Sequence, residues 1–336
     1  MRRREFCLGV VAMPALAGSG VAQEATTIIF GKQYGLPYLP LMVMEEHKLV
    51  EKYAARLGLA SLTPDYKTLG GTASLVDALI SGQMTFAVTG VPGLITLWDK
   101  TVGTPNEIRA LSAVQSMPFR LVTNQPHIKS LRDFSEKDKI AVPAIKVSAQ
   151  AIALQMAVAK EWGQGEFARL DPLTITRPHP DAATAIIAKS QEITAHYTVA
   201  PYFQYELAAP GTHTVLKSYD TFEGRKTNGV ILVSKKFRDA NPKTCAAVYA
   251  ALDEAEAFIT RNARESAQIY LRMTNEKRSG LEELTAMIAD PDNGWTTVPE
   301  KVMRFHEFMH RVGTVKKLPP DWRELFMPEA HGLAGS

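Results

Sequence analysis

The sequence predicts an α/β architecture arranged as two lobes, and three observations carry that expectation. Short apolar strand segments alternate with longer amphipathic or apolar helical segments. Two strands end alike, in Thr89-Gly90-Val91-Pro92 and Thr198-Val199-Ala200-Pro201, as though one plan were used twice. The chain, at 336 residues, is long enough to bury a core and to divide it between two lobes.

The elements follow in order. A strand over 26–30 runs into Gly31-Lys32-Gln33-Tyr34-Gly35, and a helix covers about 39–48. A strand at 62–67 closes at Gly70-Gly71, after which Thr72 and Ser74 offer hydroxyls to cap a helix with Leu75, Leu79 and Ile80 on its apolar side. Gly82 stops that helix, and residues 85–88 form the strand that ends at Thr89. A second strand–helix series begins at 139–142, with Ser148 as the N-cap of an Ala-rich helix that ends at Trp162-Gly163. A helix over 181–188 and a strand over 193–197 lead to Thr198. The last third is helical, over about 243–261, 264–272, 281–288 and 299–312, before a tail at 322–327 introduced by Pro319-Pro320.

The N-terminus points to export. Arg2, Arg3 and Arg4 precede an apolar run from Phe6 to about Ala17, and Gly20-Val21-Ala22 fits a small-x-small cleavage site. That run is shorter than the roughly 20 residues a membrane span requires, so residues 1–22 read as a cleaved signal peptide. Arg3-Arg4-Glu5-Phe6 also resembles a twin-arginine signal. Cys7 lies at the start of the apolar run and not at its end, which argues against a lipoprotein. Cleavage removes three Arg and one Glu. The 38 Lys and Arg and 35 Asp and Glu of the whole chain thereby become 35 and 34, a net charge of about +1. A near-neutral chain with scattered charges makes no case for nucleic acid or an anionic membrane surface. Only Cys245 survives cleavage, so the mature chain has no intramolecular disulfide and rests on its own core.

One motif points elsewhere. His306-Glu307-Phe308-Met309-His310 matches the HExxH pattern, in which two His on one helix face hold zinc and the Glu polarises a bound water. A third ligand is missing from any recognised pattern, although His331, Glu324 and Glu329 lie nearby in sequence. Val302, Phe305, Phe308, Met309 and Val312 form an apolar stripe on the same helix, and half-exposed histidines beside such a stripe are the simpler account. Gly163-x-Gly165-x-x-Ala168 follows a helix rather than a strand, which is the wrong geometry for a dinucleotide loop. There is no GxSxG, P-loop or Cys-x-x-Cys.

A wider pattern links these segments. Gly31-Lys32-Gln33-Tyr34, Gly71-Thr72-Ala73 before Leu75-Val76-Asp77-Ala78-Leu79, Ser81-Gly82-Gln83 and Thr89-Gly90-Val91-Pro92 come in order. Ser148-Ala149, Ala195-His196-Tyr197 through Pro201-Tyr202, Thr227-Asn228 and the tail at 308–313 and 322–326 continue it. Over nearly the whole mature chain this ordered set resembles the ABC transporter solute-binding proteins of the nitrate/sulfonate/taurine family. The resemblance implies a non-enzymatic type II periplasmic binding protein with residues 25–114 plus 228–336 in one lobe and 115–227 in the other. Two crossings, near 112–117 and 222–228, would form a hinge.

It further implies a periplasmic monomer that carries a small organic anion, a sulfonate or an aromatic or aliphatic carboxylate, to a permease and its ATPase, without cofactor or metal. The ligand would lie in the interlobe cleft among Gln33, Tyr34, Gly71, Thr72, Ala73, Thr89, Gly90, Val91, Ser148, Ala149, Thr198, Tyr202 and Asn228. Helix N-termini at 72–74 and 148–149 leave free N–H groups suited to an anion. Gln33, Thr89, Thr198 and Asn228 add side-chain donors, and Tyr34 and Tyr202 flank the organic part. None of these ligand-facing residues is an Arg, which leaves the charge of the ligand open. The competing readings are a thiamine-precursor binder of the same fold, an enzyme of thiamine-pyrimidine synthesis and the zinc hydrolase.

Overall fold

Apolar strands in this chain sort into two separate sheets of equivalent order, 2-1-3-x-4, where x is the strand that follows a crossing from the other sheet and the rest are counted in chain order. The computed structural model describes residues 23–59 and 61–336; residues 1–22, expected above to be a signal peptide, lie outside the described residues. The strands are β1 Thr27–Lys32, β2 Thr63–Thr68, β3 Phe86–Gly90, β4 Ile108–Ser116, β5 Arg120–Thr123, β6 Ile140–Val142, β7 Thr174–Thr176, β8 Ala195–Thr198, β9 His213–Lys217 and β10 Thr227–Ser234. The first sheet runs β2-β1-β3-β10-β4 and the second β7-β6-β8-β5-β9. In each, the three strands at one end are parallel and joined by helices. The fourth strand is antiparallel and follows directly after the chain has crossed from the other sheet.

This topology places β3 and β8 at equivalent positions, so the matching Thr-x-x-Pro ends of these two strands mark equivalent places. Each precedes a helix, Val91–Thr101 in one half and Tyr202–Leu207 in the other.

Burial explains the strands. β3 and β10 sit inside the first sheet and are buried over almost their whole length, as near-continuous apolar runs must be when both faces are covered. Phe30 stacks on Tyr66 and on Phe86, with ring centroids 4.9 and 5.1 Å apart, which ties β1 to both neighbours. The long helix Pro242–Arg261 covers this half with Cys245, Ala247, Val248, Ala251, Leu252, Ala255 and Ile259, all fully buried at helical spacing.

Sequence periodicity assigned no strand to β4, β5, β7, β9 or β10. β10 pairs with β3 and β4, which lie more than 100 residues earlier in the chain, so its pairing is long-range and leaves no local signature.

A second correction concerns the helix Thr72–Ile80. Its N-cap is Gly71, no side chain caps it, and Thr72 is already its first helical residue. The Thr72 hydroxyl instead accepts a hydrogen bond from Gln33 Nε2 at 3.3 Å. Ser148 does cap its helix, Ala149–Trp162, accepting from the Ala151 N–H at 3.2 Å.

The chain passes between the sheets at residues 117–119 and again at 223–226. Here Lys226 is fully buried, its Nζ 3.5 Å from the centroid of the Phe119 ring and 3.5 Å from the Met117 carbonyl oxygen.

Candidate functional site

The carboxyl ends of β1 and β3 and the helices that follow strands in both halves converge on one cavity. Such a place, where strand order switches in an α/β sheet, is where these architectures bind ligands. The volume open to the centre of a water-sized sphere is about 30 Å³, room for roughly two waters or one small headgroup. From the first half it is lined by Gln33, Tyr34, Pro37, Tyr38, Thr72, Val88, Thr89, Gly90, Gln115, Asn228 and Gly229. From the second half it is lined by Pro143, Ala149, Gln150, His179 and Val199.

The expected residues divide into two groups. Gln33, Tyr34, Thr72, Thr89, Gly90, Ala149 and Asn228 line the cavity. Gly71, Ala73, Val91, Ser148 and Thr198 do not; Ala73 faces outward, and the Ser148 hydroxyl is occupied in capping. Tyr202 lies behind His179, its ring stacked on the imidazole with centroids 5.6 Å apart. Tyr202 also faces an adjoining chamber of about 540 Å³, which shares Gln33 and Tyr34 with the cavity and is edged by Lys32, Tyr270, Met273 and Arg278.

Among the described residues, no charged side chain lines the small cavity. Its polarity comes from amides, hydroxyls and backbone. The helices Thr72–Ile80, Val91–Thr101, Ala149–Trp162 and His179–Ile187 all begin at or beside its walls. Each adds about 0.3–1 kcal/mol of preference for negative charge through its dipole. At the edge of the larger chamber, Lys32 donates to the Thr68 hydroxyl at 3.0 Å, and burial lowers its ammonium pKa against the opposing pull of Glu45.

Contacts between the halves are close. The Leu36 N–H donates to the Ala200 carbonyl at 3.0 Å. Arg278 donates to the Thr184 hydroxyl at 3.1 Å. At Gly90, a Cβ would lie only 2.7 Å from the Cβ of Ala149. The glycine is therefore what allows the N-termini of two helices from opposite halves to meet.

Sequence reasoning missed Gln115, Gln150 and above all His179. His179 opens a helix directly after β7, an available but weak signal, because β7 itself was not recognised. Behind it lies a buried chain of polar groups. His179 Nδ1 is 2.8 Å from His196 Nε2, and His196 Nδ1 is 2.5 Å from Glu206 Oε1. His196 and Glu206 are fully buried, and His179 is 6% exposed. Burial holds the Glu206 carboxyl well above the usual range and pushes His196 down to about 3. His179 is also well below its ordinary value, through burial first and the neighbouring His196 second.

The HExxH helix is elsewhere, at Val302–Arg311. His306 is fully buried rather than half-exposed; its Nε2 pairs with the Lys317 carbonyl at 2.8 Å and its ring meets the edge of Trp98. His310 is exposed. Among the described residues no group of three or more His, Cys, Asp or Glu is placed to hold a metal, so the geometry gives the zinc reading no support.

The sequence matches no family model, and no curated protein matches it significantly. Solved structures do. The alkanesulfonate-binding protein SsuA from Xanthomonas axonopodis pv. citri, bound to MOPS, aligns with TM-score 0.68 and 16% identity, covering 88% of this chain and 96% of that one. The periplasmic nitrate-binding protein NrtA from Synechocystis PCC 6803 aligns with TM-score 0.68 and 16% identity, covering 90% and 84%. The periplasmic aliphatic sulphonate binding protein SsuA from Escherichia coli aligns with TM-score 0.64 and 17% identity, covering 90% and 98%. At these identities the likeness is one of fold: the chain has the two-lobed α/β architecture of the type II periplasmic binding proteins.

Proposed function

We propose that this chain is the exported solute-binding component of an ABC importer, which captures a small organic anion between its lobes and presents it to a permease coupled to an ATPase. The observation that carries this reading is the uncharged, donor-rich cavity walled by both halves. Four helix N-termini and the amides of Gln33, Gln115, Gln150 and Asn228 suit a sulfonate or carboxylate headgroup. The adjoining chamber, with Tyr34, Tyr202 and Tyr270, suits the organic body of the ligand. The lobes are residues 25–114 plus 228–336 and residues 115–227 to within the ends of β4 and β10, where Gln115, Ser116 and Thr227 pair within the first sheet and move with it. Two short crossings allow the lobes to rotate about them without unfolding. Ligand held by both lobes favours the closed state, and closure is what a permease can read. The protein works as a periplasmic monomer, after loss of residues 1 to about 22, without cofactor.

A melting screen of sulfonates, carboxylates, phosphonates and thiamine precursors tests this. A ligand at 100 times its Kd stabilises the fold by about 2.7 kcal/mol, which for a chain of this size raises Tm by about 4 °C. Thr72→Val removes a cavity hydroxyl and should weaken the best ligand by about 0.5–1.5 kcal/mol without unfolding the protein. Absence of any hit, or a hit indifferent to Thr72→Val and causing no compaction in small-angle scattering, would place the function elsewhere.

A further inference from the structure

The cavity has one wall whose hydrogen-bonding character is not set by the wall itself. Gln150 Nε2 lies 3.3 Å from His179 Nε2, at the cavity surface, while His179 Nδ1 is tied inward to His196 and through it to Glu206. The groups that face His179 are His196 and Thr198 from β8, Gln150 from the helix Ala149–Trp162, and the Tyr202 ring; none is a carboxylate, a lysine or an arginine. Glu206 meets this chain of groups through Oε1 alone, and its Oε2 has no hydrogen-bond partner among the described residues.

Two proton arrangements satisfy the contacts from Glu206 through His196 to His179; the first needs the Gln150 amide turned so that its oxygen faces His179 Nε2, and the second accepts from its NH2 group as the structure places it. In the first, Glu206 is a carboxylic acid and donates to His196 Nδ1. His196 Nε2–H then donates to His179 Nδ1, and His179 Nε2–H is left to donate at the cavity. In the second, one proton has been lost and two others have shifted inward. Glu206 is then a carboxylate accepting from His196 Nδ1–H, His196 Nε2 accepts from His179 Nδ1–H, and His179 Nε2 is a bare acceptor. The two differ by one proton and one negative charge. The second leaves an ionised carboxylate in a fully buried place with one oxygen unpaired and no cation in contact, which is the costlier arrangement.

Resting on the solute-binding reading, we propose that Glu206, through His196, holds His179 as an Nε2–H donor into the cleft, and that this donor makes the site select headgroups that only accept hydrogen bonds. His179 is the specificity-determining contact; His196 and Glu206 are positioning residues. The site therefore attracts a deprotonated oxyanion without a formal positive charge and rejects ammonium or amide headgroups, whose donors would face another donor. Because the carboxyl stays protonated well above its ordinary range, the donor persists through neutral pH and is lost only as Glu206 ionises at higher pH.

The test begins without ligand. In the mature chain labelled with nitrogen-15, long-range proton–nitrogen correlation reads the tautomers of His179 and His196. At pH 7 both are expected as neutral Nε2–H tautomers, switching together to Nδ1–H at one alkaline pH. In Glu206→Gln, whose amide donates to His196 Nδ1 and cannot ionise, the switch is absent. An Nδ1–H tautomer at pH 7, or imidazolium signals titrating near pH 6.5, overturns the proposal whether or not the variant folds. Melting with sodium nitrate and sodium methanesulfonate as probes then reads the consequence. The wild-type shift fades at the pH of the tautomer switch and persists in Glu206→Gln. His179→Phe, which keeps a ring against Tyr202, weakens either salt by about 10–100-fold. A wild-type shift that passes unchanged through the tautomer switch also overturns the proposal. If the tautomers are as expected and neither salt nor any screened solute shifts the melt, the relay stands and the solute-binding reading is what fails.

Discussion

Gly90→Ala separates closure from folding. Gly90 has φ −69° and ψ 158°, which alanine adopts without strain, so the new methyl has no quarrel with its own backbone. Its conflict is across the cleft, where the added Cβ would sit 2.7 Å from the Ala149 Cβ and 3.4 Å from the Ala149 nitrogen. Carbon atoms settle at about 3.5–4.0 Å, so the lobes must stand off by about 1 Å at this point. A donor placed about 2.9 Å from a bound headgroup is then near 3.9 Å, beyond hydrogen-bonding range. Loss of two such bonds from the second lobe costs about 1–3 kcal/mol, a weakening of roughly 5- to 150-fold. The ligand-free protein should melt at the wild-type temperature or slightly above, because alanine narrows the unfolded ensemble by about 0.4–1 kcal/mol. Calorimetric titration with the best ligand of the screen, melting curves with and without it, and small-angle scattering read all three quantities. Gly165→Ala, with open space around its Cβ, is the control. Wild-type affinity and compaction in Gly90→Ala, or a ligand-free protein destabilised by more than about 2 kcal/mol, would refute the reasoning. The clash would then be absorbed locally or lie within a lobe.

The remaining predictions concern groups away from the cavity. His306→Ala should destabilise by about 1–3 kcal/mol in urea unfolding, since it strips the Lys317 carbonyl of its donor, whereas exposed His310→Ala should be silent within about 0.5 kcal/mol. Neither should change ligand affinity, and protein purified without added metal should contain no stoichiometric zinc; zinc lost on either substitution would revive the hydrolase. Lys226→Met, where the chain passes between the sheets, should stabilise by about 1–4 kcal/mol. The ring faces of Phe119, Phe222 and Phe305 favour its charged form by about 2 kcal/mol, but removal from water costs more and lowers its amine pKa well below the usual range. Between that lowered value and about 10.5 the unfolded chain binds the extra proton, so wild-type stability should rise with pH across this window and the Met variant should lack that rise. Equal pH slopes in both proteins would show the amine to be charged in the fold.

Much of this molecule can be read without coordinates, for identifiable reasons. Alternation of short apolar and longer helical segments marks an α/β chain, because local periodicity reports which faces are covered. The repeated Thr-x-x-Pro ends mark β3 and β8, equivalent strands of the two sheets, although only the pairing pattern proves the equivalence. Ser148 is legible as a cap because capping is local, involving a side chain and an N–H three residues away. Thr72 is misread for a related reason: its hydroxyl takes a partner 39 residues distant, Gln33, which no window of sequence contains.

What the sequence determined alone is the class of fold, the order of several helices though not Val91–Thr101, and seven of the sixteen residues that line the cavity, since Gln33, Thr72, Thr89, Ala149 and Asn228 among them stand at strand ends and helix starts where ligand-facing groups belong. Only the tertiary structure decided the rest. β10 is a central strand because β3 and β4 flank it, and Gly90 matters because Ala149 of the other half meets it at that point. His179, His196 and Glu206 become one buried relay because a strand and two helices bring them within hydrogen-bonding distance. Periodicity encodes the burial of each element by itself, whereas these contacts depend on which buried faces are packed together, and that is settled by the fold as a whole.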